Sequence, residues 1–344
     1  MPSRSLSSAA GQPSVGPAGP QAALACVAQG PALYQYACTD VHEYCANLRR
    51  WQLDYDQLSA GSFHGSLTSV QFARVEVFRE VTSRTLRQCG TLGPDSFTIG
   101  IPWREDSVAR CNGVTVSGSD VFLMSFDSEI EFVTPDDFEV RGVSASARMM
   151  EALAGTLGLP WPRQHARKMI GARASGDQVA RLKGMLLYAQ ESLRLRQDIA
   201  DDTLAARTLE DSLLVGLLDL ATGAAPLHHV GGEGRKRTVD RACDLMLAPE
   251  LRSMTLLDVC REVGASPRKL AYCFREQLGV APATYWKVIR LNRARKDLLQ
   301  GEAGDIYSVA ARHGFWHFSQ FSLDYKRHFG ELPSQTLRRA RCAA

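Results

Sequence analysis

The chain has 344 residues, 45% of them hydrophobic, and a formal net charge of only +3 at pH 7. This length allows two domains, each with a buried core, and the hydrophobic fraction is that of a globular protein. No apolar run approaches the ~20 residues that span a bilayer, so a membrane-spanning protein is excluded and no membrane partner is expected.

The nine cysteines are an odd number, and none are spaced as C-x-x-C. This spacing predicts neither a disulfide framework nor a zinc ribbon and indicates a reducing, cytoplasmic location. Cys260 and Cys273 are predicted to be small core residues of a helical region.

Residues 1–32 are rich in Ser, Gly, Pro and Ala and are predicted to be a disordered tail. The segment from Tyr34 to Trp51 is predicted to be a short helix or a leading segment. Residues 33–221 as a whole are predicted to form one N-terminal domain.

Short β-prone runs follow between about residues 64 and 143. Turn residues separate them, as in Gly93-Pro94-Asp95 and Cys111-Asn112-Gly113. Several short strands at this spacing predict a β-barrel or sandwich. The runs are Val75–Phe78, Phe97–Ile99, Val121–Met124, Ile130–Val133 and Phe138–Val140.

The composition of this barrel does not favour an enzyme. A metal-dependent barrel needs a His-x-His pair with further ligands, and the region holds only His64. No G-x-S-x-G, P-loop or H-E-x-x-H motif occurs in the chain. His313 and His317 lie four apart but are predicted to be structural or solvated. We therefore predict no catalytic residue, no metal and no cofactor.

A barrel without catalytic groups can still hold a small molecule in its interior. The predicted lining residues are Trp103, Arg104 and Phe122. The alternative is that all three are ordinary core or surface positions.

From residue 144 to 221 the apolar residues recur at spacings of three and four, which predicts a pair of helices. This apolar stripe has two possible partners: a second copy of the chain, or the barrel of its own chain. Residues 222–235 are rich in glycine, contain Pro226 and are predicted to be a linker.

The charge is unevenly distributed about this linker. From Arg235 to the end there are 20 Lys and Arg against 11 Asp and Glu, a balance of +9. The rest of the chain has a balance of −6. A basic C-terminal part suits a polyanionic partner.

The C-terminal part contains the same local pattern twice. One copy begins at Thr255 and reaches Gly264, and the other begins at Asp305 and reaches Gly314, an offset of 50 positions. Beyond these glycines the offset is 51, and matching positions continue to the end of each copy. The matched pairs are Leu270 with Phe321, Phe274 with Tyr325, Arg275 with Lys326, Gly279 with Gly330 and Pro282 with Pro333.

Each copy is predicted to be a helix, a tight turn and a second helix. Thr255 and Asp305 suit the N-cap of the first helix, and the two glycines suit a positive φ where that helix ends. The segment Ala283–Gln300 is predicted to be a connecting helix, ~27 Å long. Since successive major-groove faces lie ~34 Å apart, such a connector suits two helix-turn-helix units on one duplex. The alternative is an all-α bundle with two similar hairpins.

The residues of the second copy carry a family resemblance. The segments Ser308-Val309-Ala310, Gly314-Phe315, Phe318–Ser322, Phe329-Gly330 and Pro333-Ser334 resemble the signature of the AraC/XylS family of bacterial transcription regulators. The resemblance implies two helix-turn-helix units joined by a long helix behind a cupin-like sensor domain. The chain departs from the family at Leu323 and Asp324, where arginine and then an apolar residue are usual, and at Ala271, where a polar residue is usual.

The predicted fold is therefore α+β. An N-terminal cupin-like β-barrel or sandwich (about 64–143) carries a helical dimerisation segment (about 144–221). An all-α domain over 236–344 holds two helix-turn-helix units. Residues predicted to bind DNA are Arg268, Lys269, Tyr272, Arg275, Lys287, Arg290, His317, Phe318, Ser319, Gln320, Lys326 and Arg327.

The predicted function is that of a cytoplasmic, sequence-specific transcription regulator that binds promoter DNA. The resemblance adds an activator that contacts RNA polymerase, a small-molecule effector and a homodimer. The alternatives are a small-molecule-binding barrel protein, or a constitutive DNA-binding repressor without a ligand.

Overall fold

The computed structural model describes residues 31–48, 51–118, 120–125, 129–161, 171–195, 203–227, 232–248, 254–300 and 305–343. Its strands, in chain order, are β1 Ala32–Cys38, β2 Trp51–Gln57, β3 Gly65–Gln71, β4 Val75–Thr82, β5 Leu86–Leu92, β6 Ser96–Pro102, β7 Val108–Cys111, β8 Val114–Ser117, β9 Asp120–Ser125, β10 Glu129–Thr134, β11 Phe138–Ser146, β12 Gly171–Arg173 and β13 Ala225–Pro226. Its helices are α1 Val41–Ala46, α2 Ala147–Thr156, α3 Gly176–Leu195, α4 Thr203–Gly223, α5 Glu233–Leu247, α6 Leu256–Glu262, α7 Pro267–Leu278, α8 Pro282–Leu299, α9 Ile306–Arg312, α10 Phe318–Phe329 and α11 Pro333–Ala343.

The strands form two antiparallel sheets. One has eight strands in the order β1-β3-β4-β11-β6-β9-β12-β13, and the other has five in the order β2-β5-β10-β7-β8. An aromatic cluster fills the space between them, with the rings of Phe122 and Phe132 4.6 Å apart and those of Phe132 and Phe138 5.7 Å apart. Gly142 lacks a side chain where a Cβ would meet the ring of Phe78, so that ring can pack on the strand. Side chains from both sheets thus share one core.

The helices α3 and α4 cover the other face of the eight-stranded sheet. Leu182, Leu186, Leu213 and Leu217 are buried in one cluster with sheet residues such as Val143. The apolar stripe of the two helices therefore packs on the barrel of its own chain, which was one of the two alternatives. This face of the sheet and the inner face are both buried.

The sheet begins earlier than the sequence indicated. Among the described residues of the segment Tyr34–Trp51, the helical part is α1, and it is capped by Asp40, whose carboxylate accepts from the backbone N–H of His42 at 2.9 Å. The expected linker is also partly structured, because β13 pairs with β12 and α5 begins at Glu233. The tail up to residue 30 and residues 228–231 lie outside the described residues.

The seven helices α5 to α11 form the C-terminal domain, which has two cores. The first core joins α5, α6, α7 and the start of α8, and the second joins the end of α8 to α9, α10 and α11. Helix α11 was not predicted. It is held to α10 by a hydrogen bond of 2.9 Å between the hydroxyls of Tyr325 and Thr336.

The outer face of the five-stranded sheet packs against this domain. Leu58 and Val133 of the N-terminal part are buried in the first core of the C-terminal domain. The side chain of Asn292 accepts from the backbone N–H of Gln57 at 3.1 Å and donates to its carbonyl at 2.9 Å. The chain is therefore built in layers: helices, sheet, sheet and C-terminal domain.

Across the described residues, none of the helices combines the length and the apolar character that crossing a membrane requires.

Candidate nucleic-acid interface

Local signals fix the first helix-turn-helix unit, α6 and α7. Thr255 and Asp258 form a reciprocal capping box at the start of α6. Gly264 follows that helix with φ +63°, a conformation in which a side chain would be strained. Ser266 caps α7 and Pro267 takes its first position, where no backbone donor is needed.

One face of α7 is exposed and basic. Leu270, Cys273 and Phe274 bury the opposite face in the first core. The predicted DNA-binding residues of this helix, Arg268, Lys269, Tyr272 and Arg275, are all exposed. The structure thus brings the four together on one surface.

A residue that the sequence analysis did not select supports this surface. The guanidinium of Arg235 donates to the Tyr272 hydroxyl at 3.1 Å and lies 5.4 Å from the centre of its ring. Arg235 also forms an ion pair with Glu276. The run Arg235-Lys236-Arg237 was the available signal, but the sequence analysis placed its first residue in the linker.

The second unit, α9 and α10, repeats the design. Asp305 caps α9 by accepting from the backbone N–H of Ser308 at 2.8 Å, and Gly314 has φ +73°. Phe321, Tyr325 and Phe329 are buried. At the start of α10, His317, Phe318, Ser319 and Gln320 are exposed, as are Lys326 and Arg327 near its end. The helix ends at Gly330, which has φ +80°.

Lys287 and Arg290 on α8 have contacts within the protein. Lys287 pairs with Asp324 of α10 at 3.1 Å. Arg290 donates to the carbonyl of His313 at 2.6 Å and to that of Gly314, and burial lowers its pKa. Both side chains therefore tie α8 to the second unit, and their predicted phosphate contacts stay a prediction.

The C-terminal domain contains His313, which was predicted to be structural or solvated, and Cys260 and Cys273, which were predicted to be core residues. His313 is mostly buried and contacts the carboxylate of Asp297 at 2.9 Å, while burial lowers its pKa. Cys260 and Cys273 are buried. In the part of the chain that the structure describes, no three His, Cys, Asp or Glu side chains form a cluster that could hold a metal ion.

The predicted lining residues of the sensor barrel do not meet in one site. Trp103 packs beneath the guanidinium of Arg141, 4.1 Å from the ring centre, and Arg104 pairs with Asp106. Phe122 is buried in the core between the sheets. Their role in ligand binding stays a prediction.

A cavity of about 330 Å³ lies elsewhere in this domain, beside β1 and the end of α1. This cavity was not predicted, because no strand was expected over Tyr34–Cys38. The alternation of Tyr34, Tyr36 and Cys38 is typical of a strand and was the available signal. Residues lining the cavity include Tyr34, Tyr36, Asn47, Trp51, Ser69 and Glu76.

Comparison with known proteins agrees with the arrangement of the C-terminal domain. A family model described as a helix-turn-helix domain matches residues 259–339. A probable thc operon regulatory protein of Rhodococcus erythropolis is 38% identical over 99 residues, which is 28% of this chain and 30% of that protein. The transcriptional activator RhaR of Klebsiella pneumoniae is 26% identical over 264 residues, 71% of this chain and 80% of that protein.

A solved structure of a probable AraC family transcriptional regulator from Rhodopseudomonas palustris is 30% identical and covers 30% of this chain and 97% of that one, with a TM-score of 0.29. The chain spans 30% of the first curated relative's length. The helix-turn-helix match and the two capped units lie in the same residues. Through this C-terminal domain, the chain belongs to the AraC/XylS family.

Proposed function

We propose that the protein is a sequence-specific transcription regulator that binds promoter DNA through both helix-turn-helix units. The observation that carries this proposal is the duplicated unit itself. Each copy has a capped first helix, a glycine turn and a second helix with one buried and one exposed face. A helix of 18 residues joins the two copies at a fixed separation.

The exposed residues divide into two proposed roles. Arg268, Tyr272 and Arg275 read bases for the first unit, since arginine pairs with guanine in the major groove. In the second unit, bases are read by the residues at the start of α10, the second reading helix: His317, Phe318, Ser319 and Gln320. Lys269, Lys326 and Arg327 contact phosphates, which fix the position of the protein on the duplex.

The N-terminal domain acts as a sensor in this proposal. The match to RhaR, named a transcriptional activator, extends over 71% of this chain and thus beyond the C-terminal domain. The cavity beside β1 is large enough for a small metabolite and has aromatic and polar walls. We therefore propose a small-molecule effector and an activating role that involves RNA polymerase, and we assign the chain no enzymatic activity.

Two further features belong to the same proposal. The described cysteines are all free, which suits the reducing cytoplasm where promoter DNA is found. Exposed apolar residues on α3 and α4, Tyr188 and Val215 among them, offer a surface for a homodimer.

Selection of binding sites from random DNA tests the proposal. The full-length protein is incubated with a random-sequence duplex library at low salt, and bound duplexes are amplified and sequenced. We expect one enriched sequence with two half-sites about one helical turn apart, and nuclease protection over both. Retention of no duplex at low salt, or retention without enrichment of any sequence, would overturn it.

A further inference from the structure

An exposed leucine lies at the centre of the second reading helix. Leu323 of α10 is 63% exposed, whereas the other face of the helix is buried through Phe321 and Tyr325. By the offset of 51 positions, Leu323 corresponds to Tyr272, which lies on the exposed face of the first reading helix. The repeat thus assigns Leu323 to a position that faces the DNA.

The neighbours of Leu323 are polar and basic. Ser319 lies four residues before it and Arg327 four residues after it, so the three share one exposed face. Lys326 is exposed three residues after Leu323. The apolar side chain is therefore flanked by groups suited to phosphate oxygens and base edges, which favours DNA over an apolar protein surface as its partner.

The adjacent carboxylate does not oppose this partner. Asp324 would repel phosphate if it were free on the reading face. Instead its carboxylate accepts from Lys287 of α8 at 3.1 Å and its side chain is only 15% exposed. The ion pair holds the negative charge against the connecting helix and leaves Leu323 as the prominent group.

The major groove offers one apolar group to such a side chain, the 5-methyl of thymine. We propose that Leu323 is a specificity-determining residue that selects thymine, through contact with its 5-methyl group, in the half-site bound by the second unit. This inference rests on the proposed function. It makes the two units chemically different: the second unit adds an apolar contact from Leu323 to its other reading residues, whereas the first has Tyr272 at the matching position.

Replacing thymine by deoxyuridine tests the inference, because it removes the methyl group and keeps every hydrogen-bonding group. The full-length protein is titrated with the duplex enriched from the random library, in which each thymine of either half-site is replaced in turn. We expect binding to weaken about fourfold at one or two thymines of the second half-site, as the burial of one methyl group implies.

Variants assign that loss to Leu323. Leu323→Ala should bind the enriched duplex more weakly and should no longer distinguish thymine from deoxyuridine there. Leu257→Ala is the matched control, since Leu257 is 58% exposed but lies on α6, outside the reading helices. It should keep the full thymine preference.

The outcomes separate this inference from the proposed function. If a sequence is enriched but neither deoxyuridine nor Leu323→Ala changes its binding, the proposed thymine selection by Leu323 is wrong. The proposed function as a sequence-specific regulator is unaffected by that result. The inference is also overturned if Leu323→Ala keeps the thymine preference of the unaltered protein. If no sequence is enriched at all, the proposed function has failed first.

Discussion

Arg268 and Lys326 lie at opposite ends of the two reading helices, and we propose that they make two different kinds of DNA contact. Arg268 is in the first turn of α7, exposed and next to the cap Ser266. Lys326 is in the last turn of α10. An arginine can donate two hydrogen bonds to guanine, whereas a lysine near a helix end acts as a point charge toward phosphate. These residues should therefore affect binding differently.

Replacing Arg268 by alanine should weaken binding to the enriched sequence by about 1–3 kcal/mol while sparing random DNA. Lys326→Ala is the control. It should weaken binding to the enriched sequence and to random DNA to a similar extent, and it should reduce the slope of log K against log salt concentration by about one. Titration of labelled duplexes at several salt concentrations measures both. An equal loss on the two DNAs for Arg268→Ala would show that Arg268 does not read bases.

At the scale of elements, α8 connects the two helix-turn-helix units with each other and with the N-terminal domain. Tyr285 and Ile289 belong to the core of the first unit, and Leu291 and Leu298 to that of the second. A third set of side chains on the same helix, including Arg295, contacts the N-terminal domain. The relative position of the two units and of the N-terminal domain thus depends on one rigid helix.

Arg295 is the buried charge of this helix. Its guanidinium donates to Asp40 of the N-terminal domain at 2.6 Å and to Glu331 at 2.7 Å, and it is 3% exposed. Burial by itself would raise the pKa of Asp40, but the facing guanidinium and the donors around the carboxylate lower it below the usual value. Arg339 pairs with the same two carboxylates, with Asp40 at 2.8 Å and with Glu331 at 3.0 Å. Removal of Arg295 therefore leaves Asp40 and Glu331 facing one cation instead of two.

Replacing Arg295 by methionine should therefore reduce the free energy of unfolding by about 3 kcal/mol, the low end for a broken buried pair, because Arg339 still faces both carboxylates. Arg312→Met is the matched control, since Arg312 pairs with Asp297 at a half-exposed site and should lose no more than about 1 kcal/mol. Urea denaturation followed by circular dichroism compares the two. Similar losses for both variants would contradict the role given to the buried pair.

At the scale of the whole molecule, two buried groups give stability opposite dependences on pH. His328 contacts the carbonyl of Gln57 at 3.0 Å, and burial lowers its pKa from 6.5 to about 4. Glu80 accepts from the Tyr55 hydroxyl at 3.0 Å, and burial raises its pKa from 4.5 to about 7. The folded chain therefore favours the neutral form of each group.

The direction of each pH dependence follows from the number of protons that the group binds in the folded and in the unfolded chain. Between about pH 4 and 6.5 the unfolded chain protonates His328 more readily, so its contribution is complete above pH 6.5 and is lost as the pH falls toward about 4. The contribution of Glu80 is complete below pH 4.5 and is lost as the pH rises through about 7.

Single substitutions should separate these contributions. Relative to the unaltered protein, His328→Gln should become more stable as the pH falls from 6.5 to 4, by up to about 3 kcal/mol. Glu80→Gln should show the opposite trend, gaining relative stability as the pH rises from 4.5 to 7. Urea midpoints across this range test both, and parallel pH profiles for all three proteins would refute the assignment.

The helix-turn-helix units could be predicted because their signals are local. A cap such as Thr255 and a turn glycine such as Gly264 each act within a few residues, and both have the predicted role. The short strands between about 64 and 143 were predictable for the same reason.

Other features depend on partners far away in the chain. Strand β1 has no fully buried residue and is held by pairing with β3, so the alternation of Tyr34, Tyr36 and Cys38 is the one local signal for it. Asp40 and Arg295 are 255 positions apart, and neither is distinctive until the domains pack. The cavity beside β1 was missed for the same reason, since it exists only after β1 joins the sheet.

Gly330 ends the second reading helix and also lies against the N-terminal domain. A Cβ at this position would collide with the side chain of Ser62, and the backbone N–H of Gly61 donates to the carbonyl of the nearby His328 at 2.9 Å. Any larger residue would push the N-terminal domain away from the C-terminal domain at this contact. The glycine that terminates a helix thus also sets how closely the two halves of the protein can approach.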